Sequence, residues 1–332
     1  MREPPSYPIP KRSLIKVNRI LITGGAGFIG SHLADRFVAD GHSVAVIDNL
    51  SSGRKEYIPG RADFRLIDIK DEAATISAIV DIKPQTIIHN AAQINVRASL
   101  DDPITDAKEN IIGGLVVLKG AIEAGVKRFI FASTGGAVYG DLPVDAMPIS
   151  EAVAPNPLSP YASAKLAMEH YIRVLCGLSG ITYVILRYSN VYGPRQVVKG
   201  ESGVVAIFTQ CFINRRKPVI FGDGSHTRDY VYVKDVVDAN VAALTKGDNA
   251  IVNIGTGIRI NVNEVYDKLK KLMGANLDAI HGDEIPGEVA HIALDVSLAA
   301  DVLAWKPAYT LDKGLPETIE YYKSARASET NG

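Results

Sequence analysis

The chain has 332 residues, 47% hydrophobic and 22% charged, the balance of a globular protein long enough for one large or two modest domains. A formal net charge of -1 and a pI near 6.7 supply no excess of Lys or Arg for binding nucleic acid or an anionic membrane surface. Two cysteines, Cys176 and Cys211, are too few for a disulfide framework and lack CxxC spacing, so neither disulfides nor a metal site is expected.

In chain order, residues 1–17 come first, Pro-rich, polar and basic, without a signal-peptide core. They read as a loosely ordered extension on a cytoplasmic protein, and no later apolar run approaches the ~20 residues that span a bilayer. Short β-branched runs then alternate with helical patterns. Strands are predicted at Arg19–Thr23, Ser43–Asp48, Asp63–Asp68, Thr86–Asn90, Arg128–Ser133 and Thr182–Arg187, and helices at Phe28–Asp40, Asp71–Ile82, Pro103–Ala124 and Pro160–Leu178. Gly41 and Gly125 follow two of the helices as C′ residues, and Lys83-Pro84 closes another. This alternation predicts an α/β fold, a Rossmann-type doubly wound parallel sheet covered on both faces. Beyond Arg187 the rhythm loosens into Gly- and Pro-rich stretches at 192–203 and 222–228, which predicts a smaller C-terminal α/β substrate lobe. The expected division is residues 18–188 for the dinucleotide domain and 189–325 for the lobe, with segments returning to the first domain, and 326–332 as a tail.

The segment RILITGGAGFIGSHLADRF sets Gly24, Gly27 and Gly30, with Phe28 and Ile29, after a strand and across a helix start. Glycine removes Cβ where the turn is tight and the backbone must approach a pyrophosphate, which the helix N-terminus attracts. The next strand ends at Asp48, 18 residues after Gly30, where a carboxylate accepts hydrogen bonds from the adenosine ribose. Its charge favours NAD over NADP, with Arg54 the one nearby cation that weakens the argument.

Five of the 14 tyrosines have a lysine four residues on: Tyr7, Tyr161, Tyr230, Tyr266 and Tyr309. Spacing alone therefore proves nothing. Context singles out Tyr161 and Lys165, because Ser159 is placed as N-cap and Pro160 at the first helical position. On one helix face the ammonium is expected to stabilise the phenolate and lower the tyrosine pKa toward neutrality, making Tyr161 a base. The hydroxyl partner should come from the end of the preceding strand, with Thr134 the first choice and Ser133 the substitute.

TGGAGFIG, the strand-end Asp48, HNAAQINVRAS, FASTGGAVYG and SPYASAK, in that order, resemble the extended short-chain dehydrogenase/reductase family and its NAD-dependent epimerase/dehydratase members over about residues 18–325. DNLSSGR, LRYSNVYGPRQ, ESGVVAIF and TRDYVYVKDVVDA are similar to the branch that epimerises nucleotide-sugars at carbon 4. The resemblance implies that Asn49, Ser51, Ser52 and Gly53 lie beside the cofactor with Asp48, and that Asp68 and Ile69 contact the adenine. It places Ala91, Ala92, Gln93 and Tyr188 at the nicotinamide and gives Asn110 a supporting role. On the substrate side it implies Asn190 and Arg228 at the diphosphate, Val219 and Phe221 at the base, Val204 nearby, and Ile292 beside the hexose, with a packed core position as the alternative for that isoleucine. Ile285 stands where relatives carry an arginine.

The implied activity is interconversion of the 4-epimers of a UDP-hexose through a 4-keto sugar. A 4,6-dehydratase, a decarboxylase, an N-acetylhexosamine epimerase and a non-catalytic NAD-binding sensor are the alternatives. Gly135 and Gly136, where dehydratases place carboxylates, count against the first. The resemblance also implies a homodimer formed through the helices near Pro103–Ala124 and Pro160–Leu178.

Overall fold

A computed structural model describes residues 18–197, 203–283 and 289–330; the N-terminal extension and Ile285 lie outside the described residues. The first half runs β1 (Arg19–Thr23), α1 (Phe28–Ala39), β2 (Ser43–Asp48), β3 (Asp63–Leu66), α2 (Glu72–Ile82), β4 (Thr86–His89), α3 (Val96–Asp101), α4 (Pro103–Ala107), α5 (Gly113–Glu123), β5 (Arg128–Thr134), α6 (Pro160–Ser179) and β6 (Thr182–Tyr188). The second half adds β7 (Asn190–Tyr192), α7 (Val204–Ile213), β8 (Val219–Phe221), β9 (Thr227–Arg228), β10 (Tyr230–Tyr232), α8 (Val233–Ala243), β11 (Ala250–Ile254), β12 (Ile260–Asn261), α9 (Val262–Met273), β13 (Ile280–Gly282), α10 (Ser297–Leu303) and α11 (Leu311–Thr330).

Seven parallel strands form one sheet in the order β11-β6-β5-β4-β1-β2-β3. Both faces are buried, which is why these strands read as near-continuous Ile, Val, Leu and Phe runs. Leu33 and Phe37 of α1 pack with Val236 of α8 over one face, and Ile79, Val117, Met168 and Ile172 from α2, α5 and α6 cover the other. The strand order reverses between β1 and β4, so a crevice opens at their carboxyl ends. β11 joins the sheet against β6, and α8 packs on α1, so the second half of the chain contributes to the Rossmann layer as well.

Three two-stranded sheets, β7 with β10, β9 with β12 and β8 with β13, build the smaller lobe with α7, α9 and α11. Its core holds Tyr192, Phe208, Phe212, Tyr232, Tyr266, Leu269 and Leu315.

The structure adds to the expected elements and departs from some of them. β3 ends at Leu66 rather than Asp68, α3 was not among the expected elements, and neither were those from β7 onward, β11 included. The single helix expected over Pro103–Ala124 is divided by a π-helical turn at Lys108–Ile112. That extra residue per turn aims Asn110 inward, where its Nδ2 donates to the Gln93 carbonyl at 3.0 Å and to Asp106 Oδ1 at 2.9 Å. Among the described residues no helix is long and apolar enough to cross a membrane.

Candidate active site

Gly24 leaves β1 at φ 70°, and a Cβ there would lie 2.7 Å from the Ala91 nitrogen. A Cβ on Gly30 would lie 2.1 Å from the Gly24 carbonyl oxygen, so only glycine lets α1 approach β1 this closely. Gly27 caps α1 without a side-chain bond, and the first turn carries no acid, which leaves its N–H groups and positive dipole end facing the crevice. At the end of β2, Asp48 Oδ2 accepts from Ala26 N at 2.9 Å and Oδ1 from Leu50 N at 2.8 Å. The carboxylate thus shapes the glycine turn and still has lone pairs for a ligand.

Phe28, Ile29, Asn49, Ser51, Ser52, Ile69, Ala91, Ala92, Tyr161, Lys165 and Tyr188 line the same crevice with these glycines and Asp48. Four expected residues stand behind the lining. Gly53 packs against Ala26, Asp68 accepts from Asn49 Nδ2 at 3.2 Å, and Gln93 N donates to Asn110 Oδ1 at 3.0 Å. The crevice also takes in Asn90, Ile94, Glu109, Ala132 and Ser133. Asn90 was missed although its place was readable, since it directly follows β4 at a strand end. Both of its carboxamide atoms are buried without a hydrogen-bond partner among the described residues.

Ser159 accepts from Ala162 N at 3.2 Å and Pro160 opens α6, which fixes Tyr161 in the first turn and Lys165 one turn on. Thr134 ends β5, and its hydroxyl favours the ionised form of the Tyr161 phenol. Ser133 Oγ, one residue earlier, donates to Glu169. Tyr188 Oη accepts from Asn240 Nδ2 at 2.8 Å.

Burial pushes the Tyr161 phenol up to about 12; the Thr134 hydroxyl opposes this and the charge of Asp106 adds to it. Lys165 Nζ donates to the Ala132 carbonyl at 2.9 Å and sits 4.8 Å from the Phe131 ring centroid. Burial pushes this lysine down to about 8, against Asp106 and Glu169, which hold it up.

Residues 20–255 match the sequence model of the NAD dependent epimerase/dehydratase family. The chain belongs to that family. A UDP-glucose 4-epimerase of Mycolicibacterium smegmatis is 41% identical over 312 residues, covering 92% of this chain and 99% of the relative. The crystal structure of a Thermotoga maritima UDP-glucose 4-epimerase with UDP-glucose has a TM-score of 0.91 and 45% identity, covering 93% of this chain and 99% of that one. A Thermus thermophilus UDP-glucose 4-epimerase in complex with NAD gives a TM-score of 0.89 at 37% identity, covering 92% and 99%.

As a member of the NAD dependent epimerase/dehydratase family, the chain takes NAD, and its crevice fits that group. The close backbone approach at Gly24 and Gly30, the uncapped start of α1 and the unpartnered Asn90 carboxamide are what a dinucleotide would meet. The substrate-side expectations fall on separate elements. Asn190 opens β7 with its Oδ1 buried and unpartnered among the described residues, and Val204 opens α7. Val219 and Phe221 are exposed on β8, with the Arg97 guanidinium 5.7 Å from the Phe221 ring centroid. Arg228, on β9, donates to the carbonyls of Thr227 at 3.0 Å and Ala290 at 3.1 Å. None of these five lines the cofactor crevice.

Ile292 is 0% exposed, packed with Val138, Tyr139, Ile149 and Leu294, and its N–H donates to the Thr227 carbonyl at 3.1 Å.

Proposed function

We propose that this chain is a nucleotide-sugar 4-epimerase acting on UDP-glucose and UDP-galactose. The observation that carries the reading is that Tyr161 and Lys165 of α6 line the cofactor crevice beside the end of β5, where Thr134 is followed by glycines rather than acids. A Cβ on Gly135 would meet Leu294 Cδ1 at 2.5 Å and the Arg187 carbonyl oxygen at 3.1 Å. The Leu294 side chain occupies the space beside Gly135, and glycine at 135 and 136 supplies no acid of the kind a 4,6-dehydratase uses to remove water.

In this mechanism Thr134 holds the sugar's 4-oxygen while Tyr161 takes the 4-hydroxyl proton. NAD, when bound, supplies the hydride acceptor and donor at carbon 4. Asn190 and Arg228 keep the diphosphate in place while the 4-keto hexose turns its other face to the crevice, and Tyr161 then returns the proton. Gly24, Gly27, Phe28, Ile29 and Gly30 cradle the pyrophosphate, Asp48 takes the adenosine ribose hydroxyls, and Lys165 with Tyr188 borders the nicotinamide. The cofactor domain is assigned to residues 18–188 and most of the substrate lobe to 189–325.

The same reading makes the protein a cytoplasmic homodimer. The homodimer is supported by exposed apolar residues on packed helices: Leu100, Ile104 and Ile112 on segments that contact α6, and Tyr171, Val174 and Leu178 spaced along one face of α6 itself. Incubation with UDP-, dTDP- and GDP-sugars, followed by separation of the products, tests the function. UDP-galactose formed from UDP-glucose with no net change in NAD is the expected result, and a 4-keto-6-deoxy product would overturn it.

A further inference from the structure

Asp106 takes no part in that mechanism, yet it is 1% exposed on α4, the helix that packs against the catalytic α6. Its Oδ1 accepts from Gln93 Nε2 and from Asn110 Nδ2, both at 2.9 Å. Its Oδ2 is buried with no hydrogen-bond partner among the described residues. Gln93 and Asn110 then close on each other through paired bonds of 3.0 Å. A buried carboxylate is costly unless its charge is used, and two neutral amides do not neutralise it.

The surrounding charges show where that field falls. Glu169, one turn beyond Lys165, is already held by Arg187 of β6, whose Nε and Nη2 reach it at 2.9 and 2.6 Å. Glu109, on the π turn, is paired with Lys70. β4 presents His89, kept neutral by burial, and β5 offers only hydroxyls, the Ala132 carbonyl and the Phe131 ring. From α3, Ser99 Oγ accepts from Tyr161 N at 3.2 Å. Asp106 acts electrostatically on both Lys165 and Tyr161.

We propose that Asp106 is the positioning carboxylate of the Tyr161–Lys165 pair, anchoring Gln93 and Asn110 behind Ala91 and Ala92 and supplying the negative field that holds Lys165 as an ammonium. The proposal rests on the epimerase reading of Tyr161. An ammonium enclosed against a ring and a single carbonyl needs such a field, because burial alone drives it toward the neutral amine.

The test is the pH dependence of UDP-glucose epimerisation, and of NAD affinity by calorimetry, for the parent, Asp106→Asn, Asp106→Ser, Asp106→Glu and Tyr161→Phe. Removing a like charge eases phenol ionisation, and removing an opposite charge eases loss of the lysine proton. Both neutral variants should therefore move both limbs of the rate profile toward acid by about one pH unit, and should lose NAD affinity at correspondingly lower pH. Asp106→Glu should keep the parental limbs even where turnover falls. Two neutral side chains of different size guard against a folding defect in one. Parental limbs in a folded neutral variant, with only turnover or melting temperature reduced, would overturn the proposal and leave Asp106 a packing residue. Parental activity in Tyr161→Phe would instead overturn the epimerase reading, and the Asp106 proposal with it.

Discussion

Helices α6 and α9 each carry a tyrosine with a lysine four residues on, and each is well capped, by Ser159 and Pro160 on one and by the Asn261/Glu264 capping box on the other. Their side chains nevertheless do different things. Tyr161 and Lys165 both line the cofactor crevice, and Lys165 Nζ donates to the Ala132 carbonyl of β5. Tyr266 Oη donates to the Leu277 carbonyl at 2.7 Å, and Lys270 Nζ reaches the exposed Asp278 at 2.9 Å. What differs is the surface beneath: α6 lies on β5 and β6, α9 on α7 and α11. Spacing puts two side chains on one face, and the carboxyl end of a parallel strand gives that face something to react with.

The sharpest way to break this comparison is a matched pair of hydroxyl deletions. Tyr161→Phe should lower turnover roughly 10²- to 10⁴-fold, the range for a lost general base, with NAD affinity nearly unchanged. Tyr266→Phe should leave turnover at the parental level and cost about 1 kcal/mol of stability for one lost hydrogen bond. Steady-state kinetics and urea denaturation of the two variants decide it, and equal turnover in both would make the helices equivalent.

How far the sequence carried the argument follows the same divide. Gly24, Gly30 and Asp48 were readable because each does a backbone-level job that few residue types can do. The sheet was readable because strands buried on both faces leave unbroken apolar runs. Asp106 carried no signal: its partners Gln93 and Asn110 come from other elements, and the π turn that brings Asn110 inward has no local sequence mark. In the small lobe the strands are two or three residues long, too short to show a period.

A second contrast between the two regions is acid sensitivity. His89, beneath Lys165, bonds Thr23 Oγ1 at 2.6 Å, and burial, helped by the charge of Lys165, pushes it down to about 3 from an ordinary value of 6.5. Between those values the unfolded chain binds a proton here that the folded chain refuses, so stability rises with pH across the window. The contribution is complete above pH 6.5, is lost as pH falls toward 3, and is on the order of a few kcal/mol. Urea midpoints between pH 7 and 4 should fall less steeply in His89→Asn than in the parent. Identical slopes for the two would remove His89 as the source.

Asp48 sharpens the comparison from the cofactor side, because its carboxylate holds Ala26 and Leu50 while facing the crevice. Asp48→Asn should weaken NAD binding about tenfold, the scale of one charge-assisted hydrogen bond, and narrow the preference over NADP by removing a charge that repels the 2′-phosphate. Titration with each cofactor measures both effects. An unchanged NAD/NADP ratio would move the source of selectivity to another group, with Arg54 the first candidate.

The smallest expected effect concerns Ile292, where crevice-facing and core-facing positions are easiest to confuse from sequence. Its side chain is fully buried against Val138, Tyr139, Ile149 and Leu294, while its N–H bonds the Thr227 carbonyl next to Arg228. Ile292→Val removes one methylene from a packed cluster and should cost about 0.5–1.5 kcal/mol. Because no face of this side chain meets the crevice, the ratio of activity on UDP-N-acetylglucosamine to that on UDP-glucose should stay at the parental value. Ile292→Ser should extend the pattern, destabilising more and reducing both activities alike, since it buries a hydroxyl where an apolar group was packed. Melting curves and paired assays on the two sugars separate the outcomes. A rise in the N-acetyl ratio with stability preserved would return Ile292 to the substrate pocket and show that the lobe around it opens when the nucleotide-sugar binds.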